Sequence, residues 1–184
     1  MGNFYTSITL RGPSQDEVAA ELAGREALVS PMVDDCVAVF DAESEDQNPK
    51  VLAKLASTLS REFNCPALAV LNHDDDVLWY VLFDGGKQHD EYDSSPGFEG
   101  GDPDAAPKGG DASVLCAAFG SSSVAAVNKV LRATRDNYTF AVERHADLVA
   151  ALGLPEWLPG AGFNYLSEGE FPEGLEEDSL VATK

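Results

Sequence analysis

The chain has 184 residues, with 32 acidic against 12 basic side chains and a formal charge of -20 at pH 7. That balance argues against nucleic-acid binding, because phosphate backbones would be repelled. A hydrophobic fraction of 44% can build a sizeable core, but no apolar run approaches the ~20 residues that a membrane-spanning helix needs.

Residues 4–10 alternate aromatic and polar side chains and predict a strand, which Gly12 and Pro13 end. Ser14 and Glu17 have capping-box spacing, and Val18, Ala19 and Leu22 form the stripe of a short helix closed by Gly24. Residues 26–30 and 36–41 read as two short strands around Pro31, Asp34 and Asp35. A polar loop follows, and Asn48 and Pro49 then open a helix as cap and first residue. Val51, Leu52, Leu55, Leu59 and Phe63 recur at helical spacing, so this helix packs one face on a sheet. Asn64 can stop it in a left-handed conformation.

The segment 65–98 reads as three consecutive antiparallel strands. Residues 66–71 form the first and 77–83 the second. Val77, Trp79, Val81 and Phe83 share one face of the second strand, and Leu78, Tyr80 and Leu82 share the other. Both faces are apolar, so this strand is predicted to be central and covered on both sides. Gly85 and Gly86 supply the positive φ of a hairpin turn. The polar residues 88–92 belong nearer an edge. Residues 94–110 are rich in proline and glycine and read as a long loop.

Beyond it the pattern turns helical. Asp111 caps a helix carrying Val114, Leu115 and Phe119, and the serines 121–123 cap another carrying Val124, Val127, Val130 and Leu131. Residues 138–142 read as a short strand, and 144–152 as a helix ended by Gly153 and Pro155. The remaining tail has aromatic anchors without a clear period. The fold expected is α+β: an antiparallel sheet with packed helices over 1–93, a Pro/Gly-rich loop over 94–110 and a helix-rich C-terminal portion over 111–184, in one domain.

Chemistry concentrates in the carboxylates of 65–98. Folding the hairpin about Gly85 and Gly86 with Phe83 opposite Lys87 places Asp93 opposite Val77, beside the turn holding Asp74, Asp75 and Asp76. Four converging carboxylates offer hard oxygen ligands for Ca²⁺ or Mg²⁺. Asp-rich hairpin tips are also ordinary solvated turns, and the run lacks the alternation of an EF-hand loop.

His73, His89 and His145 fall in no metal-ligand spacing, and the serines 121–123 lack a nucleophile-elbow context. Cys36, Cys65 and Cys116 are dispersed among apolar residues, which fits buried thiols in a reducing cytoplasm. Trp79 and Trp157 read as core or interface anchors. Gly2 and Thr6 fit a myristoylation pattern, but Ile8 and Leu10 continue the strand.

Three blocks, NFYTSITLRG, NHDDDVLWYVLFDGGKQHDEYDSSPGF, and RHADLVAALGLPEW with GFNYL, resemble an uncharacterised family of bacterial proteins. The resemblance implies no assigned reaction and transfers no catalytic residue. A small acidic α+β protein is also similar in class to immunity-type proteins that neutralise toxins. The function expected is therefore a non-enzymatic interaction protein that engages a basic protein partner. The alternative is a metal-binding module or metal-dependent enzyme using Asp74, Asp75, Asp76 and Asp93. A third reading takes the acidity as adaptation to high salt.

Overall fold

A computed structural model describes residues 2–98, 100–102 and 105–184. β1 (Tyr5–Arg11) leads through α1 (Gln15–Glu21) into the hairpin of β2 (Ala27–Val29) and β3 (Cys36–Asp41). α2 (Pro49–Glu62) follows, then the meander β4 (Pro66–His73), β5 (Val77–Asp84) and β6 (Lys87–Asp93). The later elements are β7 (Lys108–Gly109), α3 (Ala112–Phe119), α4 (Val124–Arg132), α5 (Ala141–Leu152), α6 (Phe163–Ser167) and β8 (Val181–Thr183). Among the described residues the strands form one 8-stranded sheet in the order β7-β6-β5-β4-β1-β3-β2-β8. Every pairing in it is antiparallel, so the fold class is α+β. Among the described residues no helix is long and apolar enough to cross a membrane.

The sheet is buried on both faces, as the doubly apolar β5 requires. Val81 and Phe83 join Ile8, Leu10, Val37 and Val39 beneath Leu52, Leu55 and Leu59 of α2 and Val18 of α1. Leu78, Tyr80 and Leu82 join Phe40 and Leu68 beneath Leu115, Val127, Leu131 and Leu148 of α3, α4 and α5. The helix ends follow local chemistry. Ser14 and Glu17 make the capping box of α1, Asn48 accepts from Lys50 N–H ahead of Pro49, and Asp111 accepts from Ser113 and Val114 N–H. Gly153 closes α5 at φ 70°, and Asn64 follows α2 at φ 47°. The serine cap expected on α4 is absent: Ser123 makes no side-chain cap bond, and its N–H donates to Ser121 Oγ.

Other expectations are corrected. Residues 138–142 are not a strand. Their alternating Tyr-Thr-Phe-Ala-Val pattern is overridden by Glu143, whose carboxylate accepts from the N–H groups of Thr139 and Phe140. Ala141 N–H meanwhile donates to the Asp75 carbonyl at 2.7 Å, and α5 starts there. The tail is more ordered than its lack of period suggests. It forms α6 and a 3-10 turn (Glu177–Ser179), then adds β8 to the sheet beside β2. Within the 94–110 loop, Lys108 and Gly109 pair with β6. Gly109 has φ 74°, and a Cβ there would lie 2.1 Å from the Glu91 carbonyl oxygen, so close backbone approach demands glycine.

Under α5, the Tyr5 hydroxyl meets His145 Nδ1 at 2.8 Å, and both side chains are buried. Burial holds the imidazole neutral and pulls its pKa from 6.5 down to about 3. The unfolded imidazole gains its proton at the higher value and the folded one only at the lower. This contribution is therefore complete above 6.5 and is lost as pH falls toward 3. Lowering the pH from about 7 to about 5 is expected to cost about 2 kcal/mol at this residue. Urea unfolding at the two pH values, compared between the wild type and His145→Gln, measures it as the part of the pH dependence the variant loses.

Candidate functional site

The turn between β4 and β5 places Asp74 and Asp75 at φ 51° and 57°, a left-handed conformation that Asp tolerates when its side chain finds local partners. Each carboxylate of 74–76 has a hydrogen-bond or ion-pair partner, most of them far away in the chain. Asp74 Oδ1 accepts from Gly2 N–H at 2.9 Å. Asp75 is buried; its Oδ2 accepts from the backbone and side-chain N–H groups of Asn3 at 3.0 and 2.9 Å. Its Oδ1 accepts from Asn72 Nδ2 at 2.9 Å. Asp76 pairs with Arg135 at 2.9 Å. The turn thus holds the N-terminal segment and, through the Asp75 carbonyl, the start of α5.

Asp93 does not join it. The hairpin closes with Asp84 opposite Lys87, a two-residue turn, and a bulge follows between Leu82 and Phe83. Asp93 therefore lies opposite Trp79 rather than Val77, two residues or about 7 Å further along the strand than the expected register puts it. The tight turn reflects docking on α2. Ser60 Oγ accepts from Gly86 N–H, Ser57 Oγ donates to the Gly86 carbonyl, and a Cβ on Gly86 would meet Arg61 Cβ at 2.7 Å. By strand alternation Asp93 faces the α2 side with Trp79, whereas Asp75 bonds Asn72 toward the α5 side. Ser95, not Asp93, reaches the turn, donating to the Asp76 carbonyl at 3.0 Å. Asp74, Asp75, Asp76 and Asp93 accordingly do not surround one point, and among the described residues no cluster of three or more His, Cys, Asp or Glu could hold a metal ion.

Other charged groups are also built into the fold. Arg144 is buried on α5 and donates to Tyr92 Oη and to the carbonyls of Val130, Ala133 and Thr134 at the end of α4. Its guanidinium lies 4.6 Å from the centre of the Tyr138 ring. Helix-end carbonyls carry partial negative charge, which suits the cation. Glu45 accepts from the backbone and hydroxyl of Thr6, and burial raises its pKa. Cys36, Cys65 and Cys116 are free and buried, and burial pushes the first two thiols up to about 11, far from thiolate reactivity.

The surface carries recesses of different character. A groove of about 860 Å³ is lined by Asp34, Glu156 and Glu173 around Leu154, Pro155, Trp157 and Pro172, and among the described residues no Lys or Arg lines it. The three carboxylates are exposed, whereas Trp157 is buried against Phe40. The turn 33–36, with Asp34 and Asp35 at φ 49° and 61°, sets one wall. A second groove, of about 570 Å³ between α4 and α5, is mixed in charge, with Lys129, Arg132 and Asp147. A third, of about 330 Å³, lies on the α2 side and contains His73, Trp79, Asp93 and Phe98. These recesses join residues distant in the chain, and no local motif marks them. Compared with known proteins, the chain matches no family model, no curated protein and no solved structure.

Asp75 carries several charge-assisted bonds in a buried place. Asp75→Ala is expected to destabilise the protein by about 3 kcal/mol. Asp76→Ala, which removes an exposed pair, should cost under about 1 kcal/mol. Urea unfolding of both variants measures the contrast, and equal small losses would show that the Asp75 bonds contribute no net stability.

Proposed function

We propose that this is a non-enzymatic interaction protein that engages a basic protein partner. The observation that carries the reading is the unpaired acidic excess. With 32 acidic and 12 basic residues, the cations are too few for most carboxylates. One of those cations, Arg144, is spent on carbonyls and a phenol inside the core.

The groove around Trp157 is the surface best suited to such a partner. Its three exposed carboxylates ring an apolar floor, the arrangement that steers a basic surface and then anchors it. Further exposed acids continue over the tail at Glu168, Glu170, Glu176, Glu177 and Asp178. Gln15 donates to the Ser179 carbonyl at 2.8 Å, which brings the exposed Asp16 and Glu17 of α1 alongside. An immunity-like role, neutralising a basic toxin by covering it, fits this surface chemistry and rests on likeness of class.

An oligolysine peptide serves as a probe of the groove. Its affinity is expected to fall steeply between about 0.05 and 0.3 M KCl as screening grows. The triple variant Asp34→Asn, Glu156→Gln, Glu173→Gln should bind it about tenfold more weakly at low salt. Fluorescence anisotropy reads both. Binding indifferent to salt, or equal in the variant, counts against the groove as the partner surface.

A further inference from the structure

The recess on the α2 side of the sheet has a chemistry of its own. Its volume of about 330 Å³ lies at the small end of ligand sites. His73, Trp79 and Phe98 contribute aromatic rings, Leu71 and Val77 contribute apolar surface, and Asp93 contributes a carboxylate. The site is separate from the Trp157 groove, which belongs to the core on the opposite face of the sheet.

Each wall is held in place. The His73 and Phe98 rings meet edge to face, with centroids 5.8 Å apart and planes at 72°. Phe4 braces His73 from another direction at 5.0 Å and 87°. The Trp79 indole N–H donates to Glu91 at 3.1 Å, which fixes the ring across the strand pair. Asp93 Oδ1 accepts from Ser95 N–H at 2.8 Å, which fixes the carboxylate. Phe98 stays 39% exposed at the mouth side of this lining. Gln47 shares the recess; its Oε1 lies 3.3 Å from His73 Nδ1, and its Nε2 is buried without a partner.

We propose that this recess binds a quaternary ammonium group. Ring faces attract cations through their quadrupole, and quaternary ammonium is the cation that aromatic cages recognise. Asp93 and the protein's net charge of -20 add Coulombic attraction. A primary ammonium brings three N–H donors and a guanidinium five, whereas Asp93 is the one carboxylate among the described lining residues and already accepts from Ser95 N–H, with Lys108 opposite it across the strand pair. A quaternary nitrogen brings none and loses less on leaving water than a primary ammonium does. The group has two sources of the same chemistry, a free choline-like molecule or a trimethylated lysine on a peptide.

Titration with tetramethylammonium, choline and a trimethyllysine peptide at constant ionic strength tests the proposal, read by tryptophan fluorescence and calorimetry. Saturable binding of tetramethylammonium is expected, with unmethylated lysine peptide at least about tenfold weaker. Asp93→Asn keeps an acceptor for Ser95 N–H and should weaken tetramethylammonium about tenfold, and Phe98→Ala about threefold. Choline saturating below the peptide assigns a free ligand, and the reverse order assigns a methylated chain. No saturable response to any of the three probes overturns the proposal. So does tetramethylammonium binding that both variants leave unchanged, because the cation then sits elsewhere on the acidic surface. Losing the oligolysine interaction at the Trp157 groove leaves this result untouched, so the two readings fail separately.

Discussion

The apolar character of both faces of the sheet governs the rest of the structure. β1, β3, β4 and β5 present Ile, Leu, Val and Phe side chains to one helix layer and Leu, Val, Tyr and Phe to the other. A sheet of this kind cannot leave either face in water, since each exposed large side chain forfeits on the order of 2 kcal/mol of burial. The layer of α1 and α2 and the layer of α3, α4 and α5 are therefore both obligatory. Buried polar groups on the strands are costly without partners, and Tyr5, Thr6 and Asn72 Nδ2 are tied to His145, Glu45 and Asp75, while among the described residues Ser7 Oγ and Asn72 Oδ1 make no hydrogen bond.

The β4–β5 turn ties the N-terminal segment to the start of α5 at one end of the sheet. Asp75 holds the segment before β1 with its carboxylate and the first turn of α5 with its carbonyl. The residues that resemble a metal centre in sequence act as a clasp between chain segments far apart in number. Asp74 and Asp75 hold a left-handed backbone and make these bonds from it.

The acidic surface and the aromatic recess follow one physical logic on opposite faces. Excess negative charge raises the local concentration of cations everywhere, without choosing among them. Selection falls to shape and to desolvated contacts. The Trp157 groove offers spaced carboxylates over apolar residues, which suits an extended basic surface. The recess of His73, Trp79 and Phe98 offers rings and, among the described residues, a single carboxylate, which suits a compact cation without N–H donors. The buried thiols and the neutral buried His145 face neither.

Local chemistry determined much of this protein. Period-two and helical patterns specify the strands of the meander, the faces of β5 and the stripe of α2. Ser14, Asn48, Asp111 and Gly153 mark helix ends, because a cap bonds only its immediate neighbours. Tertiary contact decided the remainder. Docking of Gly86 on Ser57 and Ser60 accompanies the two-residue turn, and the bulge after it moves Asp93 by a second residue while keeping it on the expected face. β8 has three residues, too few for a readable period, and exists because β2 offers it an open edge. The fate of Asp74, Asp75, Asp76 and Asp93 depended on partners at Gly2, Asn3, Arg135 and Ser95. Of the carboxylates' partners, Ser95 and Asn72 lie near in the chain, and Gly2, Asn3 and Arg135 lie far away in it. A carboxylate's role is set by what the fold brings beside it, and local spacing carries no record of that.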